Sequence, residues 1–331
     1  MKPFRVGIDA YSIKPLGLEP LGILDWALRN GAEGVQFSEG AAAADDPGRL
    51  RAIGERAAEN RLYLEWGGAQ HIPFDPRNGH PIDIAAVNRK AAEQAASLGL
   101  TTVRSCSGGL LRWPKDAVPT ETYLREMAAA LRSQRPLWTD FGITLALEIH
   151  FEFTTFELVR LFEMCDAAPG GYLGICLDTM NLLTMLEDPL AAAKRILPWV
   201  VTTHIKDGGI IDSSEGFRTF TAEAGKGIVD FPRILNTLSS LDRTLSLSIE
   251  DHGGDFSIPF NDPAFRAKFP DLNEGELGSL RALAEKTRRK MDQEGLAILD
   301  RAAWPGLCEE RVARDIRTVR KLARETEAER A

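Results

Sequence analysis

Four short apolar runs each deliver a side chain able to hold a metal ion. They are Ile143–His150 around Glu148, Leu173–Asp178, Val200–Asp207 around His204, and Leu245–His252 around Glu250. Apolar runs of this length read as strands buried on both faces, as in parallel sheets. A charge at the end of such a strand is costly to bury alone and is expected to be paired or metal-bound. Glu148, Asp178, His204 and Glu250 converging on a point make a site for one divalent metal. Three carboxylates and one imidazole suit Mn2+ best, with Mg2+ or Co2+ as alternatives. Structural Zn2+ prefers thiolates and imidazoles. Four protein ligands leave positions for two oxygens of a substrate.

Residues i and i+2 share a face of a strand. His150 therefore follows Glu148 on one face, Lys206 follows His204, and His252 follows Glu250. Such a metal stabilises the enediolate formed when a proton leaves the carbon beside a carbonyl. That reaction needs a base that titrates near neutrality, and histidine is the usual supplier. His150 is the candidate base, with Glu148 and Glu250 as further catalytic candidates. The competing role for His150 is a partner of Glu148. Lys206 is a candidate substrate ligand or a partner of Asp207, and His252 a supporting or substrate-binding group. His71, in the third βα loop, is expected to line the pocket, and His80 to be a loop residue. Trp66, Trp113, Phe37 and Phe151 stand near strand ends, to stack on a substrate ring or to pack the core.

The elements that position these groups alternate. The pattern predicts strands over Arg5–Asp9, Gly34–Phe37, Leu62–Trp66, Thr102–Ser105, Thr144–Glu148, Leu173–Asp178, Val201–His204 and Leu245–Glu250. Helical spacing predicts helices over Leu21–Asn30, Pro47–Asn60, Ile82–Leu98, Thr120–Thr139, Thr154–Ala167, Pro189–Leu197 and Phe231–Leu241. Eight βα units in about 250 residues predict an α/β fold of the (β/α)8 TIM barrel type. A doubly wound sheet is the competing arrangement. No G-x-G-x-x-G follows the first strand, so no NAD is expected. The barrel is assigned residues 1–254 and 306–331. The intervening 255–305 is a long insertion between the eighth strand and the last helix, Glu309–Glu327. It carries Phe256, Ile258, Phe260, Phe265 and Phe269 and a charged helix over Glu274–Asp292. It is expected near the active-site face as a lid or a subunit contact, with a surface flap as the bland alternative.

Composition narrows the function classes. The chain has 331 residues, a formal charge of −8 and 44% hydrophobic residues. The acidic balance argues against nucleic acid as a partner, which calls for a basic footprint. No apolar run approaches the roughly 20 residues needed to span a membrane, and no signal peptide precedes the first strand. Cys106, Cys165, Cys176 and Cys308 show no CxxC spacing, which fits free thiols and a cytoplasmic location.

Five motifs in order carry a resemblance: Leu147-Glu148-Ile149-His150, Cys176-Leu177-Asp178-Thr179, His204-Ile205-Lys206-Asp207, Gly225–Phe231 and Ile249-Glu250. From about Val6 to His252 the chain resembles the xylose isomerase-like TIM barrel family of sugar isomerases and epimerases. The resemblance implies that Glu148, Asp178, His204 and Glu250 hold one divalent metal. Ketose epimerases carry a histidine three residues after the equivalent of Asp178, against a substrate oxygen. Here Asn181 stands there, as a candidate substrate ligand. They also carry an arginine where this chain has Ile210, with Arg218 in the same loop. His150, the run Asp251-His252-Gly253-Gly254-Asp255 and the insertion resemble the catalytic subunit of bacterial C-glycoside deglycosidases. That resemblance implies a lyase cleaving 3-oxo-glycosides by β-elimination, oligomeric, with a small β-rich partner subunit. The alternative is a sugar isomerase or epimerase. An apurinic endonuclease is more remote, since such enzymes use three metals and more histidines than this chain supplies. The expected substrate is a sugar or an oxidised glycoside.

Overall fold

The computed structural model describes residues 4–38, 40, 46–75, 80–106 and 109–329. Seven parallel strands come first: β1 (Phe4–Asp9), β2 (Gly34–Phe37), β3 (Tyr63–Ala69), β4 (Thr102–Ser105), β5 (Thr144–Glu148), β6 (Leu173–Asp178) and β7 (Val200–Ile205). A hairpin of β8 (Asp207–Ser213) and β9 (Gly216–Ala222) then precedes β10 (Leu245–Ile249), the eighth strand of the barrel. β10 pairs with β7 on one side and with β1 on the other, which closes the ring into a (β/α)8 barrel. All six residues of β6 are buried, as a strand must be when helices cover its outside and side chains fill the barrel inside.

Local chemistry starts the helices. Asp46 accepts from the amides of Gly48 and Arg49 to open Pro47–Glu59. Thr154 and Glu157 form a capping box at the start of Thr155–Met164. The helix expected over Thr120–Thr139 is two helices, Thr120–Ser133 and Arg135–Asp140. Pro136 has no N–H with which to continue the first ladder. The terminal helix starts earlier than expected and runs Trp304–Glu329; Pro305 is tolerated in its first turn.

The segment after β7, expected as a loop, is where the structure departs most from the sequence. β8 and β9 pair antiparallel, and β11 (Asp255–Ile258) adds to β9, making a second, three-stranded sheet. Gly216 turns the hairpin at φ 146°, and a Cβ there would sit 2.4 Å from the Phe260 amide nitrogen. Buried Asp207 accepts from the amides of Gly208, Gly225, Gly227 and Val229 at 2.8–3.1 Å. This ties the Gly-Lys-Gly turn to the hairpin's root. Gly225 does take a positive φ of 83°, but Gly227 is there for room: a Cβ would lie 2.1 Å from Asp207 Oδ1. Phe217, Ile258, Phe260, Phe265, Phe269 and Leu280 form a second core between this sheet and the helix Glu274–Glu294. The barrel holds the first core.

Candidate metal centre

Register brings the four ligand residues together. Asp178 lies opposite His204 on β7, and Ser248 on β10 also lies opposite His204, with Glu250 two residues beyond. One ligand atom from each of Glu148, Asp178, His204 and Glu250 falls within 4.8 Å of all the others. All four sit at the C-terminal ends of their strands, where barrel active sites lie.

Each of three ligands has one polar atom anchored in the protein and another turned inward. His204 Nε2 donates to Gln36 Oε1, which leaves Nδ1 as the nitrogen turned to the carboxylates. That Nδ1 faces Glu148 Oε1 at 3.3 Å and Glu250 Oε2 at 3.6 Å. Glu148 Oε2 is taken by Arg104 of β4, which leaves Oε1 free. Asp178 Oδ1 accepts from the amides of Met180 and Asn181, both at 2.8 Å, which leaves Oδ2. His204 Nδ1 is buried without a hydrogen-bond partner among the described residues, and Asp178 Oδ2 and Glu250 Oε2 are buried with the Lys206 ammonium against them. Three carboxylates and an imidazole grouped this closely are expensive to bury with one lysine between them, and the donor set fits a divalent cation. Burial alone would lower the His204 imidazole, yet Cys176, Glu148, Glu250 and Asp9 raise it well above the usual histidine range. The cluster thus demands positive charge at Nδ1, from a proton or a metal.

Lys206 supplies part of that charge. Its ammonium is 3.0 Å from Asp178 Oδ2, contacts Glu250 Oε2 and lies 3.4 Å from Asn181 Oδ1. Burial would lower its pKa, but the two carboxylates more than offset this. Asn181 also donates to the carbonyl of Ile149 at 3.2 Å. Both residues are therefore at the ligands.

His150 donates from Nδ1 to buried Glu152, 3.1 Å away. Glu152 also accepts from the amide of Gly109 at 2.6 Å. Burial would lower His150, but Glu152 and Glu148 raise it above the ordinary histidine value. His71 is buried against Ser105 Oγ at 3.0 Å, and burial lowers it to about 4. His252 is lowered to about 4 by burial and by Lys206. Its Nδ1 lies 2.9 Å from Arg301 Nη2, and its ring meets Tyr11 edge-on at 5.7 Å. His71 and His252 are thus neutral hydrogen-bonding rings at neutral pH.

Some expected groups lie elsewhere. Trp66 is fully buried and bonds Gln94, so it is core and cannot stack on a substrate. Trp113 packs on Phe265 and donates to the Ser257 carbonyl, and Phe151 packs on Phe256. Arg218 pairs with Asp255 along the second sheet, away from the ligands, and Ile210 is core. Sequence reasoning missed Asp9, Gln36, Glu65, Arg104 and Glu152. The signal was present: each of the first four is a polar or charged residue in or ending an apolar barrel strand, the same sign that marked the ligands.

The chain is 25% identical over 240 residues to a 3-oxo-isoapionate decarboxylase of Pectobacterium atrosepticum, covering 71% of this chain and 78% of that protein. A D-psicose 3-epimerase from Clostridium cellulolyticum, solved with D-tagatose, superposes with a TM-score of 0.60 at 12% identity, over 87% of this chain and 99% of that one. A xylose isomerase-like TIM barrel protein from Mycobacterium smegmatis, solved with magnesium, gives 0.59 at 16% identity, over 86% and 97%. The family described as Xylose isomerase-like TIM barrel matches residues 24–268, and the chain belongs to that family.

Proposed function

We propose that this chain is a divalent-metal-dependent carbohydrate enzyme, a lyase that cleaves 3-oxo-glycosides by β-elimination. Glu148 Oε1, Asp178 Oδ2, His204 Nδ1 and Glu250 would hold the metal, Mn2+ being the best match to the donor set. A bound divalent cation supplies positive charge to the substrate carbonyl oxygen and to the charge that develops as the neighbouring carbon is deprotonated. His150, oriented through Nδ1 by Glu152, takes the proton from C2 with Nε2. The C2 electron pair forms the C1=C2 bond as the bond from C1 to its substituent breaks, and that pair leaves with the substituent. The proton then passes from His150 to the departing group, which restores the base. Lys206 and Asn181 hold substrate oxygens beside the ligands, and His71 and His252 offer neutral rings at the pocket wall.

One observation carries the lyase reading. Epimerisation needs an acid–base group on each face of the carbon. Here Glu148 Oε2 is bound by Arg104 and Glu250 Oε2 by Lys206, which leaves the His150–Glu152 pair as the acid–base couple among the site residues. The decarboxylase relative's name, with its 3-oxo sugar acid, also supports an oxidised sugar as substrate class.

The test is incubation of the purified protein with Mn2+, Mg2+ or Co2+ and a panel of 3-oxo-glycosides and free ketoses, read by mass spectrometry. The expected products are the free aglycone and a 1,2-unsaturated 3-ketone. Conversion of a free ketose to its epimer, with no aglycone released from any glycoside, would replace the lyase by the epimerase.

A further inference from the structure

Glu148, Asp178 and His204 each have one side-chain atom held by a neighbour and another turned to the metal position. Glu250 has no such hold: among the described residues its carboxylate pairs with Lys206 and His204 alone, both within the cluster itself. Its place is therefore set through its backbone. We propose that Arg311, on the terminal helix Trp304–Glu329, is a positioning residue for Glu250. The assignment rests on the metal site proposed above and is independent of the lyase reading.

The chain is held on both sides of Glu250. The barrel ladder continues one residue past β10, where the Glu250 amide donates to the Ile205 carbonyl at 3.2 Å. Ser12 Oγ donates to the carbonyl of Ile249 at 3.1 Å and accepts from the amide of Asp251 at 3.0 Å, so one hydroxyl brackets the ligand. Ser12 is fixed in turn by the terminal helix, where the Trp304 indole donates to the Ser12 carbonyl at 3.1 Å. Successive residues of an extended chain point to opposite faces, so Glu250 turned inward puts Asp251 outward, towards that helix. There Asp251 Oδ1 accepts from the Gly253 amide at 3.0 Å, and Oδ2 pairs with Arg311 Nη2 at 2.8 Å.

Arg311 is itself braced. Its Nε lies 3.6 Å from Asp315 Oδ2, one turn along the helix, and Asp315 Oδ1 accepts from the Ala224 amide at 2.9 Å. Asp251 and Asp315 are both 2% exposed, so loss of the guanidinium would leave buried carboxylates without their cation. Asp251 escapes that cost by turning to water, and it cannot turn without rotating the peptide that carries Glu250. Arg314 supplies a contrast on the same helix. It pairs at 3.2 Å with Glu223, which follows β9 rather than a ligand strand. If Arg311 holds Glu250 in place, docking of the helix and binding of a metal favour each other by the same factor.

The experiment titrates Mn2+ into the full-length protein, with free Mn2+ read from its electron paramagnetic resonance signal and the fold checked by circular dichroism. Arg311→Met should weaken Mn2+ binding about ten-fold or more. Arg311→Lys, which keeps the charge, should recover most of that loss. Arg314→Gln, which costs the same helix an ion pair, should leave the affinity unchanged. Hydrogen exchange on the wild type covers the case in which Arg311→Met does not fold. Saturating Mn2+ should slow exchange over residues 304–315 more than over the helix Ile84–Ser97, which lies across the barrel beside β4. An affinity in Arg311→Met no weaker than in Arg314→Gln, or equal slowing in the two helices, overturns the role of Arg311. A wild type that binds no Mn2+ rejects the metal site and this role with it. Mn2+ binding that is indifferent to Arg311 rejects the positioning role alone.

Discussion

His204 owes its ligand nitrogen to a residue on β2. Gln36 turns its carbonyl to Nε2 because its amide group is spent on Glu65, at 2.6 Å, and Glu65 is held in turn by Thr202 at 2.7 Å. This column fixes the tautomer and ring orientation at the metal position, and outer partners of this kind tune metal affinity. Gln36→Leu should lower Mn2+ affinity by roughly 10- to 100-fold in a metal titration, with the fold retained by circular dichroism. Unchanged affinity would mean that the ring is oriented by packing alone. At the base, His150→Ala should keep bound metal while reducing turnover by roughly 10²- to 10⁴-fold. Glu152→Gln should fall between that variant and the wild type, since it keeps a hydrogen bond but loses the charge that raises His150. Equal turnover in all three proteins would assign the base elsewhere.

At the scale of elements, the addition after β7 and the insertion after β10 are one construction. The hairpin β8–β9 recruits β11, and the buried phenylalanines of the insertion fill the space between that sheet and the helix Glu274–Glu294. The side chains that the sequence offered for a lid or partner are thus largely used within the chain. Phe256 alone of the five is only half-buried, and it packs on Phe151 beside His150. We propose that the insertion serves as a fixed wall of the site. Phe265→Ala should then cost about 3–5 kcal/mol in urea unfolding; a loss under about 1 kcal/mol would show a loosely attached flap. These elements also mark what was legible. The eight barrel strands were readable because each is a short run with apolar residues, bounded by turn or helix signals and recurring at regular spacing. The hairpin was not: Gly208, Gly209 and Gly216 read locally as turn residues, and β11, the strand that extends its sheet, comes some forty residues on.

The whole molecule is tied together by a buried polar junction. Glu187 accepts from the Thr155 amide at 2.8 Å and from Arg195 at 2.7 Å, and Arg195 reaches Glu276 of the insertion helix at 2.6 Å. Burial raises Glu187 from 4.5 to about 7, against the opposing pull of Thr155 and Arg195, with Glu276 adding to the rise. The folded chain therefore keeps a proton that the unfolded chain releases, and this group makes stability fall as pH rises from 4.5 to about 7. At about 1.4 kcal/mol per pH unit the full effect is on the order of 3 kcal/mol. Glu187→Gln should remove that decline, so the stability difference between variant and wild type should change across this window in urea titrations. A difference independent of pH would place the Glu187 pKa near its ordinary value in the folded chain.

The sequence by itself determined the barrel and marked the four candidate ligands at its strand ends, because both follow from local rules: apolar runs make buried strands, and a charge ending such a run must be satisfied. It also marked His150 and Lys206, through the period of two along a strand. Only the tertiary structure decided which atom of Glu148, Asp178 and His204 turns inward. That choice belongs to Arg104, Gln36 and the Met180 and Asn181 amides; the two side chains are brought from β4 and β2 to strands far along the chain. It likewise decided that Trp66 is core and that Glu152 holds His150. Each of these is a contact between residues whose separation in sequence carries no trace of their distance in space.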